Sequence, residues 1–102
     1  MNRETILHKL KTLKPIYEKE GFVIEGLFGS YAQNKADAAS DIDILIHTEP
    51  RFTQKYGIRS IRRLNEIKNE LSEYFRTPVD LASSSGMGRT AQKFIIDRTI
   101  YI

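Results

Sequence analysis

The spacing of apolar residues changes several times along the chain, and each change marks a new element. From Asn2 to about Glu20 they fall at Ile6, Leu7, Leu10, Leu13, Ile16 and Tyr17, with lysines on the opposite side, the period of an amphipathic helix. Asn2 suits its start and Gly21 its end. Pro15 removes a backbone donor and predicts a kink or break near Lys14. Phe22 to Phe28, aromatic and β-branched between glycines, reads as a strand. Tyr31 to about Asn34 predicts a short helix, Lys35 to Ser40 a polar connection, and Asp41 to His47 a second strand. Thr48 to Gly57 reads as a loop broken by Pro50 and Gly57, with room for a helical turn. Ile58, Ile61, Leu64, Ile67, Leu71, Tyr74 and Phe75 set out another amphipathic helix, which Thr77-Pro78 stops. Val79 to Ala82 predicts a third strand and Ser83 to Gly88 a Gly/Ser connection. A last helix is expected over Arg89 to Arg98, burying Ala91, Phe94 and Ile95, with Ile100 to Ile102 as a short final strand whose apolar end must be buried.

The second strand breaks its own pattern. Asp is disfavoured in strands, yet Asp41 and Asp43 interrupt an apolar run that otherwise reads as buried. Alternate residues of an extended chain share a face, so Ile42, Ile44 and Ile46 point into a core and the two carboxylates point together the other way. Carboxylates at i and i+2 lie roughly 6.6 Å apart along a strand and repel by about 2.5 kcal/mol at an effective dielectric of about 20. A cation belongs between them. Asp80, between Val79 and Leu81, repeats the alternation. Alone it reads as an edge residue; with Asp41 and Asp43 it reads as the third member of a set.

Composition narrows what these acids can do. At 102 residues, 40% hydrophobic and 28% charged, the chain suits one domain with a modest core. It has no cysteine, which excludes disulfides and thiolate metal ligands and leaves carboxylates as the hard donors. No run reaches membrane-span length and the N-terminus has no apolar signal core, so no membrane role and a cytoplasmic location are expected. Sixteen Lys and Arg against thirteen Asp and Glu give a net charge of +3, suited to a phosphate-bearing ligand or an acidic partner and too small to argue direct nucleic-acid binding. Arg59, Arg62 and Arg63 cluster early in the long helix, where they read as a solvated face or as a contact for phosphate or a partner protein. His8 and His47 read as solvated. The Ser83 to Gly88 loop lacks the spacing and lysine of a Walker loop.

Three carboxylates near Gly29-Ser30 suit phosphoryl or nucleotidyl transfer. Mg²⁺ binds through carboxylates plus substrate phosphates and keeps several waters, and a pair of ions stabilises both the attacking and the leaving oxygen of an in-line displacement. If the short helix starts just after Ser30, its unpaired N–H groups attract phosphate. Taken alone, Gly29-Ser30 reads as a turn and cap.

Gly29-Ser30, ten intervening residues, then Asp41-Ile42-Asp43, followed by Asp80, resembles the minimal nucleotidyltransferase (MNT) family of the DNA polymerase β superfamily. The likeness spans nearly the whole chain. It implies an α/β (α+β) polymerase β-like fold, a small mixed sheet with helices packed on one face, formed by residues 1–102 as one domain. It further implies that Gly29 and Ser30 hold the nucleotide triphosphate and that Asp41, Asp43 and Asp80 form the catalytic, metal-binding triad for Mg²⁺, as two ions, with ATP as substrate. MNT proteins of this size are typically antitoxins paired with a HEPN-domain RNase toxin, and some transfer AMP to a tyrosine of it. One departure stands out: the family continues Gly-Ser-Tyr-Ala with Arg-Gly, and this chain has Gln33-Asn34, which removes a phosphate contact.

Three functions are thus in play. The first is adenylylation of a HEPN toxin within a hetero-oligomer. The second is a catalytically weak antitoxin that acts by binding alone. The third is nucleotidyl transfer to a small molecule, for which a single short chain supplies no second pocket wall.

Overall fold

The fold is that of a computed structural model describing residues 1–85 and 88–102, with only the backbone of Ala91. Gly86 and Met87, in the middle of the predicted Gly/Ser connection, and the side chain of Ala91 lie outside the described residues. Helix α1 spans Arg3–Glu18, and the Asn2 side-chain oxygen accepts the Thr5 N–H at 2.9 Å as its cap. The helix runs through Pro15 without the predicted break. Pro15 and Lys11 are both exposed, so the Lys11 carbonyl that loses its donor can turn to water.

Strand β1 (Phe22–Phe28) leads directly into a short helix α2 (Gly29–Ala32), and β2 covers Ile42–Thr48. The stretch expected as loop folds into helix α3 (Pro50–Tyr56), with Pro50 in its first turn, where a missing N–H costs nothing. A 3₁₀ turn at Gly57–Arg59 and helix α4 (Ser60–Phe75) follow. Strand β3 (Val79–Ser83), helix α5 (Arg89–Arg98) and β4 (Ile100–Tyr101) complete the chain.

The sheet order is β3-β2-β1-β4, with β2 and β3 parallel and the other pairs antiparallel, so the sheet is mixed. On one face Ile6, Leu10, Leu13 and Tyr17 of α1, Phe52 of α3, and Ile67, Leu71 and Phe75 of α4 join the inward residues of the strands in one apolar cluster. Ile42, Ile44 and Ile46 belong to it, as their alternation requires. Val23 and Leu45 are buried yet outside that cluster. By alternation they lie on the opposite face, where Asp43 and His47 also project. Gly26 lets β4 approach closely, since a Cβ there would overlap the Ile100 backbone.

Helix burial departs from the apolar spacing in α1, where Ile16 is exposed, around α4, where Ile58, Ile61 and Tyr74 are, and in α5. Ile58 is fully exposed and Ile61 81% exposed, because the 3₁₀ turn precedes α4 and the helix meets the sheet only from Leu64 onward. In α5 the half-buried stripe is Gln92, Ile95, Ile96 and Thr99, at helical spacing, which leaves Phe94 57% exposed under the Arg98 guanidinium. Ile100 and Ile102 pack against the core as expected of the apolar end, whereas Tyr101 is exposed.

Arg63 is not on a solvated face. Its guanidinium takes Glu20 bidentately at 2.7 and 2.9 Å and Glu70 at 2.9 Å, while Tyr56 and Tyr17 donate to the same two carboxylates at 2.8 Å each. This ties α4 to the end of α1 and to α3. Glu20 and Glu70 hold the guanidinium strongly charged, and Arg63 lowers the Glu20 pKa against the opposing effect of burial. Arg63→Met leaves Glu20 buried without its cation and is expected to cost about 2–3 kcal/mol, below the usual range for a fully buried pair because Glu70 is half exposed. Urea melts will show it as a lower midpoint at unchanged slope.

Candidate active site

The strand pairing assembles the acids. In the parallel β2–β3 register Asp43 stands directly beside Asp80, on neighbouring strands about 4.8 Å apart. Val79 is in the core and Leu81 packs against it, so Asp80 turns to the open side, as does Asp43 between Ile42 and Ile44. Asp41 is not in the strand as predicted; it is an exposed residue just before it. The first strand bond here runs from the Ile42 N–H to the Pro78 carbonyl at 2.9 Å, which ties the start of β2 to the start of β3.

Gly29 and Ser30 reach the acids by a different route from the predicted one. The short helix begins at Gly29 itself, so Ser30 lies inside it and no side chain caps it. Gly29 has φ +75°, and a Cβ there would overlap the Asp43 carboxylate. Its first role is therefore to leave the space that Asp43 occupies. Asn34, at the position where the related pattern has glycine, has φ 57°. Asn is among the few other residues that accept this left-handed conformation, which explains how the backbone tolerates the departure.

Electrostatics mark Asp43 as the strained member. Burial raises its pKa above the ordinary carboxylate value, and the neighbouring charges of Asp80 and then Asp41 raise it further. The folded chain therefore holds a proton more tightly than the unfolded chain, and stability falls as pH rises through the interval between the unfolded value of 3.8 and the higher folded value. Asp43→Asn is expected to make the metal-free protein more stable at neutral pH, with the advantage vanishing at a pH below both values. Melts at acid and neutral pH in a chelator will read the difference.

Two groups escaped the reading of the sequence. Lys68 Nζ lies 3.7 Å from Asp80 Oδ1, giving that acid a partial counter-charge from α4. Its position four residues after Leu64 and three before Leu71, at the border of the apolar stripe, was the available signal. Glu25, at a bulge in β1, holds one carboxylate oxygen fully buried without a hydrogen-bond partner, and His47 Nδ1 stands 3.5 Å from it. His47 is thus more engaged than a solvated strand end, though it remains apart from the acid row: it pairs with Val23, whereas Asp43 pairs with Phe28.

The donor set fits a hard divalent cation. Asp43 and Asp80 are register partners on neighbouring strands, the charges of Asp80 and Asp41 act on Asp43, and such repulsion is what a cation relieves. Among the described residues no three His, Asp or Glu side chains close into a cage that holds an ion by themselves. No helix among the described residues is long and apolar enough to cross a membrane.

Comparison with known proteins gives the family. Two candidate protein adenylyltransferases of Methanocaldococcus jannaschii are 34% and 33% identical over 101 residues, each match covering 98% of this chain and 93% of the relative. Protein adenylyltransferase MntA of Thermococcus cleftensis is 28% identical over 89 residues, covering 87% of this chain and 83% of its own. The structure of a candidate minimal nucleotidyltransferase superposes with a TM-score of 0.76 at 24% identity, covering 100% of this chain and 97% of that one. A crystal structure of a toxin-antitoxin with AMP-PNP superposes with a TM-score of 0.61 at 19% identity, covering 99% and 72%. With the Nucleotidyltransferase domain model matching residues 5–102, the chain belongs to that family and is a nucleotidyltransferase.

Proposed function

We propose that this chain is an MNT-type antitoxin that transfers AMP from Mg-ATP to a tyrosine hydroxyl of a partner HEPN RNase toxin and so neutralises it. The observation that carries the reading is the side-by-side pairing of Asp43 and Asp80, with Asp41 at the head of the same strand. Two relatives named as candidate protein adenylyltransferases, a third named protein adenylyltransferase, and a structural neighbour that is a toxin-antitoxin with AMP-PNP support it. In this reading residues 1–102 act as one cytoplasmic domain within a hetero-oligomer.

Asp41, Asp43 and Asp80 hold the divalent ions, and Gly29 and Ser30 hold the triphosphate. The bound ions supply charge neutralisation for the triphosphate and the departing pyrophosphate. Asp80, on the exposed edge strand, takes the tyrosine proton. The phenolic oxygen bonds to the α-phosphorus, the bond from that phosphorus to the bridging oxygen breaks, and pyrophosphate leaves. The partner toxin incubated with this protein, ATP and Mg²⁺ should gain the mass of one or more AMP groups. A properly formed complex that gains none at any ratio overturns the transfer.

A second reading, neutralisation by binding alone, is favoured by Gln33-Asn34, which lacks the guanidinium of the family pattern. The double variant Asp41→Asn/Asp43→Asn separates the two. Full neutralisation by that variant at equal expression supports binding; its loss supports transfer.

A further inference from the structure

Adenylylation of a protein requires a polypeptide segment to bring its hydroxyl to the acid row, and the surface next to that row has the character to receive one. The 3₁₀ turn and first turn of α4 hold Ile58 and Ile61 out of the core. Exposed apolar side chains that form a contiguous patch mark interaction sites. Ile61 lines a groove of about 550 Å³ together with the apolar Leu64 and Leu81 and the charged Arg62, Lys68 and Asp80. Asp80, Leu81 and Ser83 of β3, the edge strand on this side of the sheet, line it, so it lies at a strand edge and includes one of the three acids.

Charge narrows the occupant. Arg63 is engaged by Glu20 and Glu70, and Lys68 by Asp80, but Arg59 and Arg62 make no ion pair among the described residues. Arg62 lines the groove and Arg59 follows the exposed Ile58 less than one turn before Ile61, so two cations without an ion pair adjoin the exposed isoleucines. A second copy of this chain, with a net charge of +3, is repelled by such cations. A nucleic acid would leave the isoleucines uncovered.

We propose that this groove docks the acceptor-bearing segment of the protein substrate, an apolar stretch flanked by acidic residues. Its apolar side chain sits among Ile61, Leu64 and Leu81, its carboxylates meet Arg59 and Arg62, and its hydroxyl residue reaches Asp80. The inference rests on the protein-acceptor reading above and adds the sequence character that the acceptor must have. Such cations set specificity and approach, while the apolar contacts supply most of the affinity.

The probes are two synthetic tyrosine peptides, one apolar with acidic flanks and one identical but with lysine flanks. Binding is followed by NMR shifts and fluorescence anisotropy on the Asp41→Asn/Asp43→Asn protein, which separates docking from transfer. The acid-flanked peptide should shift the Ile61, Leu64 and Leu81 signals and bind at least tenfold more tightly than the other. Ile61→Asp should weaken it at least tenfold. Arg59→Glu with Arg62→Glu should weaken it similarly and recover the lysine-flanked peptide. These side chains are exposed, so unchanged melting will verify the fold of each variant. No groove shift at millimolar peptide, equal binding of the two peptides, or a concentration-dependent dimer that protects the groove overturns the proposal. Transfer to the intact partner at an unchanged rate in the groove variants also overturns it and leaves the transfer reading standing. Groove binding with no AMP transfer by the native protein does the reverse.

Discussion

Asp41→Asn with Asp43→Asn is expected to lower AMP transfer by about 10³-fold or more, while the protein melts no earlier than the native chain. Loss of a single preorganised electrostatic contact typically costs 10²–10³ in rate, and here two are lost together. The amides keep shape and volume but remove the negative charge that hard cations need. Destabilisation is not expected, because Asp43 is a carboxylate that the fold tolerates rather than uses: burial and the charges of Asp80 and Asp41 all oppose its ionisation. Transfer rate by intact mass, paired with melts in chelator and in Mg²⁺ with ATP, separates the two effects. Mg²⁺ with ATP should raise the native melting temperature and leave that of the double variant unchanged. Transfer near the native rate in a well-folded double variant would place the reaction centre elsewhere.

Gly29→Ala is expected to lose both activity and stability without altering any acid. At φ +75° an L-residue pays about 1–2 kcal/mol for its Cβ, and that Cβ falls on the Asp43 carboxylate. Either the turn or the carboxylate has to move, and a displacement of about 1 Å in a catalytic group can cost 10²-fold in rate. A double-mutant cycle assigns the cause. Combined with Asp43→Ala, which vacates the space, Gly29→Ala should keep its backbone cost but lose the rest of its stability penalty. An equal penalty in both backgrounds would mean that the glycine serves the turn alone.

The legible part of the candidate site was the shared face of its acids. Two acids interrupting an apolar β-branched run, and a third with the same alternation, pointed to one open face because period 2 is a covalent property of an extended chain. The β1 boundaries, the Asn2 cap and the α5 limits were equally local and agree with the structure. Ile16, Ile58, Ile61, Tyr74 and Phe94 were placed on apolar stripes yet are exposed, because spacing marks a helical stripe but not how far its contact with the sheet extends. Pro15 was read as a break because whether an orphaned carbonyl faces water depends on what packs there. Arg63 looked like surface because its partners, Glu20 and Glu70, come from α1's end and from its own helix two turns on.

The sequence by itself determined which residues are the candidates for the chemistry, that carboxylates are the only plentiful hard donors, and that the strands alternate between core and open faces. Those are consequences of side-chain identity and backbone period. Only the tertiary structure decided that β3 lies parallel beside β2 with Asp80 against Asp43, that Gly29 clears the space for Asp43, and that Lys68 approaches Asp80. Each of these depends on register between segments distant in the chain, and register is set by the packing of the whole apolar face rather than by the residues that meet there.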